Sequence, residues 1–153
     1  MSHFPYPPLS AYIAVNNAAE AITFYKKAFG AEERYSLKDS TTGKIGHAEL
    51  LIESALLMLS EEMPGWNKSP KTLGGTTAVF CLMVKNADVA IEKAVAAGAT
   101  VVMPAADQFY GFRSGHIRDP YGHEWMLQHE VENVSPEEMQ KRWDGMISDC
   151  KPT

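Results

Sequence analysis

Residues 115–130, GHIRDPYGHEWMLQHE, decide the fold. An apolar/polar run over 113–118 meets Asp119-Pro120-Tyr121-Gly122 and leaves again over 124–130. Proline at the second turn position pre-sets φ, and glycine at the fourth suits a type I turn, so the stretch predicts a β-hairpin. An earlier stretch echoes it. Gly46-His47 and Gly115-His116 lie about 69 residues apart, and Met58-Leu59 and Met126-Leu127 about 68. A nearly constant offset of that kind marks one unit written twice.

The repeat extends outward from the hairpin. Val15, Asn17, Ala18, Ala21 and Ile22 match Val84, Asn86, Ala87, Ala90 and Ile91 at one spacing. In the first half, residues 9–15 read as a strand, and Asn17 caps a helix with Glu20 in capping-box position. Ala21, Ile22, Tyr25, Ala28 and Phe29 share a helical face, which argues for core packing, and Gly30 closes the helix. Strands are expected over 32–38, 45–52 and 55–60. Residues 61–75, EEMPGWNKSPKTLGG, have no period and read as the connection between halves. Trp66 within it either covers a pocket mouth or anchors the loop.

The second half gives a strand over 77–84, a helix capped by Asn86 and closed by Gly98, a strand over 99–103, and a loop over 105–111 before the hairpin. Phe109, Tyr110 and Phe112 flank glycine there and read as a lid or as packing. Ser135-Pro136-Glu137-Glu138 starts a last helix, whose Met139, Trp143 and Met146 share a face that should dock on something apolar. The expected fold is α+β. Two tandem βαβββ modules form curved mixed sheets around a cavity, with a C-terminal helix added. The whole of 1–153 is one domain: module one about 8–62, linker about 63–75, module two about 76–131, helix about 135–148.

Composition supports this and removes some function classes. The chain has 153 residues, 45% hydrophobic and 22% charged, ordinary for a globular domain. The net charge is −5 without a Lys/Arg cluster, which removes the phosphate-neutralising stripe of nucleic-acid binders. No run approaches a membrane span and MSHFPYPPLS is not a signal peptide, so a cytoplasmic location is expected. The two cysteines fit a reduced compartment: Cys81 reads as a small buried hydrophobe, and Cys150 lies in the tail.

Taken with 12–33 (YIAVNNAAEAITFYKKAFGAEE), 46–59 (GHAELLIESALLML), 118–127 (RDPYGHEWML) and 134–138 (VSPEE), the chain resembles the vicinal oxygen chelate superfamily. That group holds glyoxalases, extradiol dioxygenases, fosfomycin-modifying enzymes and bleomycin-resistance proteins. The chain looks most like its PhnB-like branch. The resemblance implies four inward ligand positions for a divalent metal. By register they fall on Ser10, Met58, Val79 and Met126. Imidazole and carboxylate hold such metals; thioethers and aliphatics do not. A one-residue slip puts Ala11, Leu57, Phe80 and Leu127 there, which is no better.

Polar chemistry remains on the third strand of each unit. His47 and Glu49 are two apart and share a strand face, and His116 and Arg118 occupy the matching places. His47 and Glu49 are the candidate acid/base pair; the plainer reading is a strand face with cross-strand pairs. A metal site from His47, Glu49 and His116 is the other alternative. Tyr12, Met58, Tyr110, His116, Arg118, Glu124, Met126 and Gln128 are the expected ligand-lining residues, with Trp125 and Leu127 turned to the helices. His123 and His129 read as turn and edge residues.

Three functions compete. The first is a homodimeric small-molecule-binding protein of the bleomycin-resistance kind, with no cofactor. The second is a glyoxalase- or dioxygenase-like enzyme using His47 and Glu49 for proton transfer or an atypical divalent metal. The third is a scaffold whose last helix makes a protein contact through Trp143.

Overall fold

A computed structural model of the chain describes residues 5–149. The first module runs β1 (Ala11–Val15), α1 (Ala18–Phe29), β2 (Glu32–Lys38), β3 (Ile45–Ile52) and β4 (Ala55–Glu61). A short α2 (Pro70–Leu73) interrupts the connection. The second module runs β5 (Val79–Met83), α3 (Ala87–Ala96), β6 (Thr100–Asp107), β7 (Phe112–Arg118) and β8 (Glu124–Glu130), followed by α4 (Pro136–Asp149). The two sheets have the same topology, β1-β4-β3-β2 and β5-β8-β7-β6. In each, the first strand pairs parallel to the fourth and the other pairs are antiparallel. The βαβββ duplication is therefore present in both halves.

Local chemistry explains the repeat. The Asn17 side chain accepts from Glu20 N and that of Asn86 from Val89 N, so each helix starts on the same kind of cap. Gly30 takes a left-handed φ of 69° and closes α1. In the hairpin, Gly122 N donates to Asp119 O at 3.1 Å, and the Asp119 carboxylate accepts from Tyr121 N and His123 N. The Asx-turn residue fixes its own turn.

Five features depart from the sequence reading. The first strand begins at Ala11, because Leu9 is solvated rather than paired. The connection contains α2, whose cap is Ser69 and whose first residue is Pro70. Strand β6 runs on to Asp107 through Pro104. It can do so because β6 is an edge strand and its register slips between Met103 and Ala106. Cys81 is exposed, because its parity on β5 turns it away from the helices. His123 is no loose turn residue: it is buried, and its Nε2 lies 2.9 Å from Ala14 O in the other module. Cys150 lies outside the described residues.

The modules join through their helix-bearing faces. Ile13, Val15, Leu50, Leu57 and Leu59 from the first sheet and Ile117, Trp125 and Leu127 from the second enter one core with Tyr25 and Phe24 of α1 and Ile91 of α3. Helices α1 and α3 pack on each other. The Trp125 ring centroid sits 4.6 Å from that of Phe29 and 4.9 Å from that of Phe80, so one indole touches both modules. As expected, Trp125 and Leu127 face the helices. Helix α4 is held by Arg142, which bonds Glu132 and Glu138, and by Trp143 against Phe109. Among the described residues, no helix is long and apolar enough to cross a membrane.

Candidate functional site

Because side chains alternate along a strand, the residues that do not enter the core lie on the opposite face of each sheet. On the first sheet that face centres on Glu49. Its carboxylate is 1% exposed and accepts from Tyr6 Oη at 2.9 Å, Tyr35 Oη at 2.8 Å and Arg34 Nη1. His47 Nε2 lies 3.4 Å away, and His47 Nδ1 is 3.3 Å from Tyr12 Oη. Burial pushes the Glu49 carboxyl up, but bonds from Tyr35, Tyr6 and His47 and the Arg34 charge outweigh it and hold it below the usual carboxylate range. The Tyr6 and Glu49 contacts raise the Tyr35 hydroxyl well above an ordinary phenol. The imidazole of His47 sits between two phenol rings, with centroids 5.6 Å from Tyr12 and 5.8 Å from Tyr35.

Two of these four residues follow from regular register and two do not. Tyr35 is the cross-strand neighbour of Glu49, and Tyr12 is that of Met58, itself the neighbour of Glu49. Arg34 reaches the same face because β2 slips register between Glu33 and Tyr35, which places two successive side chains over one carboxylate. Tyr6 precedes the first strand, and no sequence pattern announces it. Its ring lies 5.3 Å from the Arg34 guanidinium carbon.

On the second sheet the matching face carries His116, Arg118, Glu124, Met126 and Gln128. Arg118 Nη2 donates to Glu124 Oε1 at 2.6 Å. His116 Nε2 lies 3.2 Å from Glu124 Oε2 but off the direction of a hydrogen bond, so it is a close approach without a bond. Gln128 Nε2 donates to Met83 Sδ at 3.5 Å, while its Oε1 has no partner. Tyr110 is not brought here. It packs on Phe109 and Phe112 at the start of β7. His129 Nδ1 accepts from Ala87 N at 3.0 Å, which makes it a cap for α3.

If the third-strand face of each unit turned inward, one cavity would hold two imidazoles, a carboxylate and a guanidinium. Within one chain they lie on two sheets: His47 and Glu49 on β3 of the first, His116 and Arg118 on β7 of the second. A cleft of about 610 Å³ runs along the edges of β1 and β5, lined by Tyr12, Lys68, Thr76, Phe80 and His123 among others. Tyr12 belongs to both the Glu49 cluster and this cleft. Trp66 is largely exposed and does not line it.

A model of the glyoxalase/bleomycin resistance protein/dioxygenase superfamily matches residues 8–127. The chain belongs to that superfamily. It is 40% identical over 138 residues to the uncharacterized protein Rv0887c of Mycobacterium tuberculosis, covering 88% of this chain and 81% of the relative. Its fold matches the crystal structure of the Arabidopsis thaliana product At5g48480 with a TM-score of 0.66 at 29% identity, over 82% of this chain and 100% of that one. A second match, protein PA1353 of Pseudomonas aeruginosa, has a TM-score of 0.66 at 24% identity, over 83% and 100%.

The divalent metal that the superfamily resemblance implies can be tested against the donors present. Ser10, Met58, Val79 and Met126 stand at the four positions, and none is an imidazole or a carboxylate. Two carboxylates neighbour those positions in register, Glu49 beside Met58 and Glu124 beside Val79; the first already accepts from Tyr6, Tyr35 and Arg34 and the second from Arg118. Among the described residues, no three of His, Cys, Asp and Glu are grouped to hold an ion. The residues do not fit a hard divalent metal of that kind.

Proposed function

We propose that this superfamily member binds a planar aromatic small molecule on the Glu49 face of its first sheet and works as a cytoplasmic homodimer of PhnB-like type. The observation that carries the reading is the aromatic floor. Glu49 spends its lone pairs on Tyr6, Tyr35, Arg34 and His47, so it orients rings rather than meeting a ligand itself. Tyr12, His47 and Tyr35 are thereby fixed, and the two tyrosines are exposed. Rigid aromatic rings supply contact area at low entropic cost.

The open faces are also apolar: Tyr12, Tyr35 and Leu37 on the first sheet, Val79, Met83 and Met103 on the second. Patches of this kind mark interaction surfaces. A second copy laying its second sheet over the first sheet of this one would cover both and close a cavity over the floor. Proflavine, a planar fluorescent probe, tests the reading by fluorescence titration. Saturable binding that Tyr12→Ala and Tyr35→Ala each weaken by about 10-fold or more is expected. Absence of saturable proflavine binding overturns it.

One observation favours a second reading, proton transfer. Tyr12 Oη, His47 and Glu49 form a chain from the exposed face to a buried carboxylate, with steps of 3.3 and 3.4 Å. Deuterium uptake next to the carbonyl of a methylglyoxal–thiol adduct, followed by NMR, tests it. The enzyme reading requires uptake that His47→Ala abolishes.

A further inference from the structure

The second sheet carries a row of soft donors. Cys81 is the register partner of Met126, Met126 of His116, and His116 of Met103, so one line crosses all four strands. The side chains of Cys81, Met126 and His116 lie on the face away from the core, since Trp125, Leu127 and Ile117 point into it, and Met103 is exposed on the edge strand β6, whose register slips on either side of it. Facing side chains on adjacent strands start only about 5 Å apart. Cys81 is in no disulfide and is exposed, with its thiol beside Gln128, and Met103 is exposed too. His116 completes the set. Its Nε2 rests against Glu124 and, among the described residues, its Nδ1 takes no hydrogen bond.

One thiol, two thioethers and an imidazole are poor company for a hard divalent ion and good company for a soft monovalent one. We propose that Cys81, Met126 and His116, with Met103 at the open end, bind Cu(I). On binding, the Cys81 S–H bond breaks, an S–Cu bond forms, the proton leaves to solvent and copper keeps its +1 state. Only Met126 is shared with the four superfamily positions, and the site does not depend on the ligand reading of the first sheet.

The test is anaerobic competition between the full chain and bathocuproine disulfonate for Cu(I), in a Cys150→Ser background that removes the tail thiol. One Cu(I) per chain and release of about one proton are expected. Met126→Leu conserves volume and keeps the fold; it and His116→Ala should each weaken uptake by about 10- to 100-fold, and Cys81→Ser by more. X-ray absorption should show both sulfur and nitrogen neighbours. Failure to compete with the chelator overturns the proposal. So does uptake that survives both Met126→Leu and His116→Ala, because a lone thiol would then be the whole site.

Discussion

The Tyr25 hydroxyl donates to Asp119 Oδ2 at 2.7 Å, joining the first helix to the last hairpin turn across 94 residues of sequence. Asp119 is 3% exposed and also accepts from Trp125 Nε1, Tyr121 N and His123 N. One carboxylate thus ties turn, sheet and helix. Burial, then the Asp119 charge, holds the Tyr25 phenol well above its usual range, so it stays a donor at every working pH.

Removing that donor costs stability without opening a cavity. Tyr25→Phe should lower unfolding free energy by about 1–3 kcal/mol. Asp119→Ala strands four donors and should cost more, about 3 kcal/mol or above. Urea denaturation measures both. A Tyr25→Phe midpoint equal to wild type would show that the bond is energetically idle.

The two Gly-His pairs of the repeat predict opposite outcomes. A Cβ on Gly115 would meet Ile91 Cδ1 at 2.3 Å and Ala105 N at 3.0 Å, while one on Gly46 meets nothing within 4 Å. Gly115→Ala should destabilise by about 1–3 kcal/mol as α3 is pushed from β7. Gly46→Ala should stay within about 0.5 kcal/mol of wild type. Thermal melts of the pair check the contrast.

Acid sensitivity should depend on Glu49. Its folded pKa lies below the ordinary 4.5. Protons therefore bind the unfolded chain more readily, and the stabilisation it gives is present above the unfolded value and lost as pH falls through the folded one. Glu49→Gln should flatten stability against pH below about 4.5 while leaving the contributions of Glu33 and Asp88 in place. Urea midpoints from pH 3 to 7 read this directly.

Charge on the open faces should separate the proposed homodimer. Leu37 and Val79 are 60% and 47% exposed in the single chain. Leu37→Glu and Val79→Glu should each alter monomer stability by under about 1 kcal/mol yet shift sedimentation to the monomer. A wild-type chain that sediments as a monomer at tens of micromolar would remove the dimer from the reading.

The hairpin, the doubled unit, both helix caps and the inward turn of Trp125 were legible because each rests on local rules: turn chemistry, capping and strand parity. Parity also paired His47 with Glu49. Register slips were not legible, and they matter most at Arg34, which joins Tyr35 over one carboxylate only because β2 slips. Cys81 was misplaced because an apolar run says nothing of which face is buried; the phase of β5 does. His123 was misread because its partner, Ala14 O, is 109 residues away and is a backbone atom. Tyr6 had no periodic neighbour to flag it.

The two halves are alike in plan but not interchangeable. Where the second has the Asp119 turn, the first links β3 to β4 through Glu53-Ser54, with Glu53 at a left-handed φ of 53°. Ala94 stands on α3 where α1 has Tyr25, so no phenol reaches back to that link and the fastening runs in one direction only. A chain severed between β4 and α2 should reassemble when its two pieces are produced together, each supplying what the other lacks. Either piece by itself would leave an aromatic seam bare and precipitate.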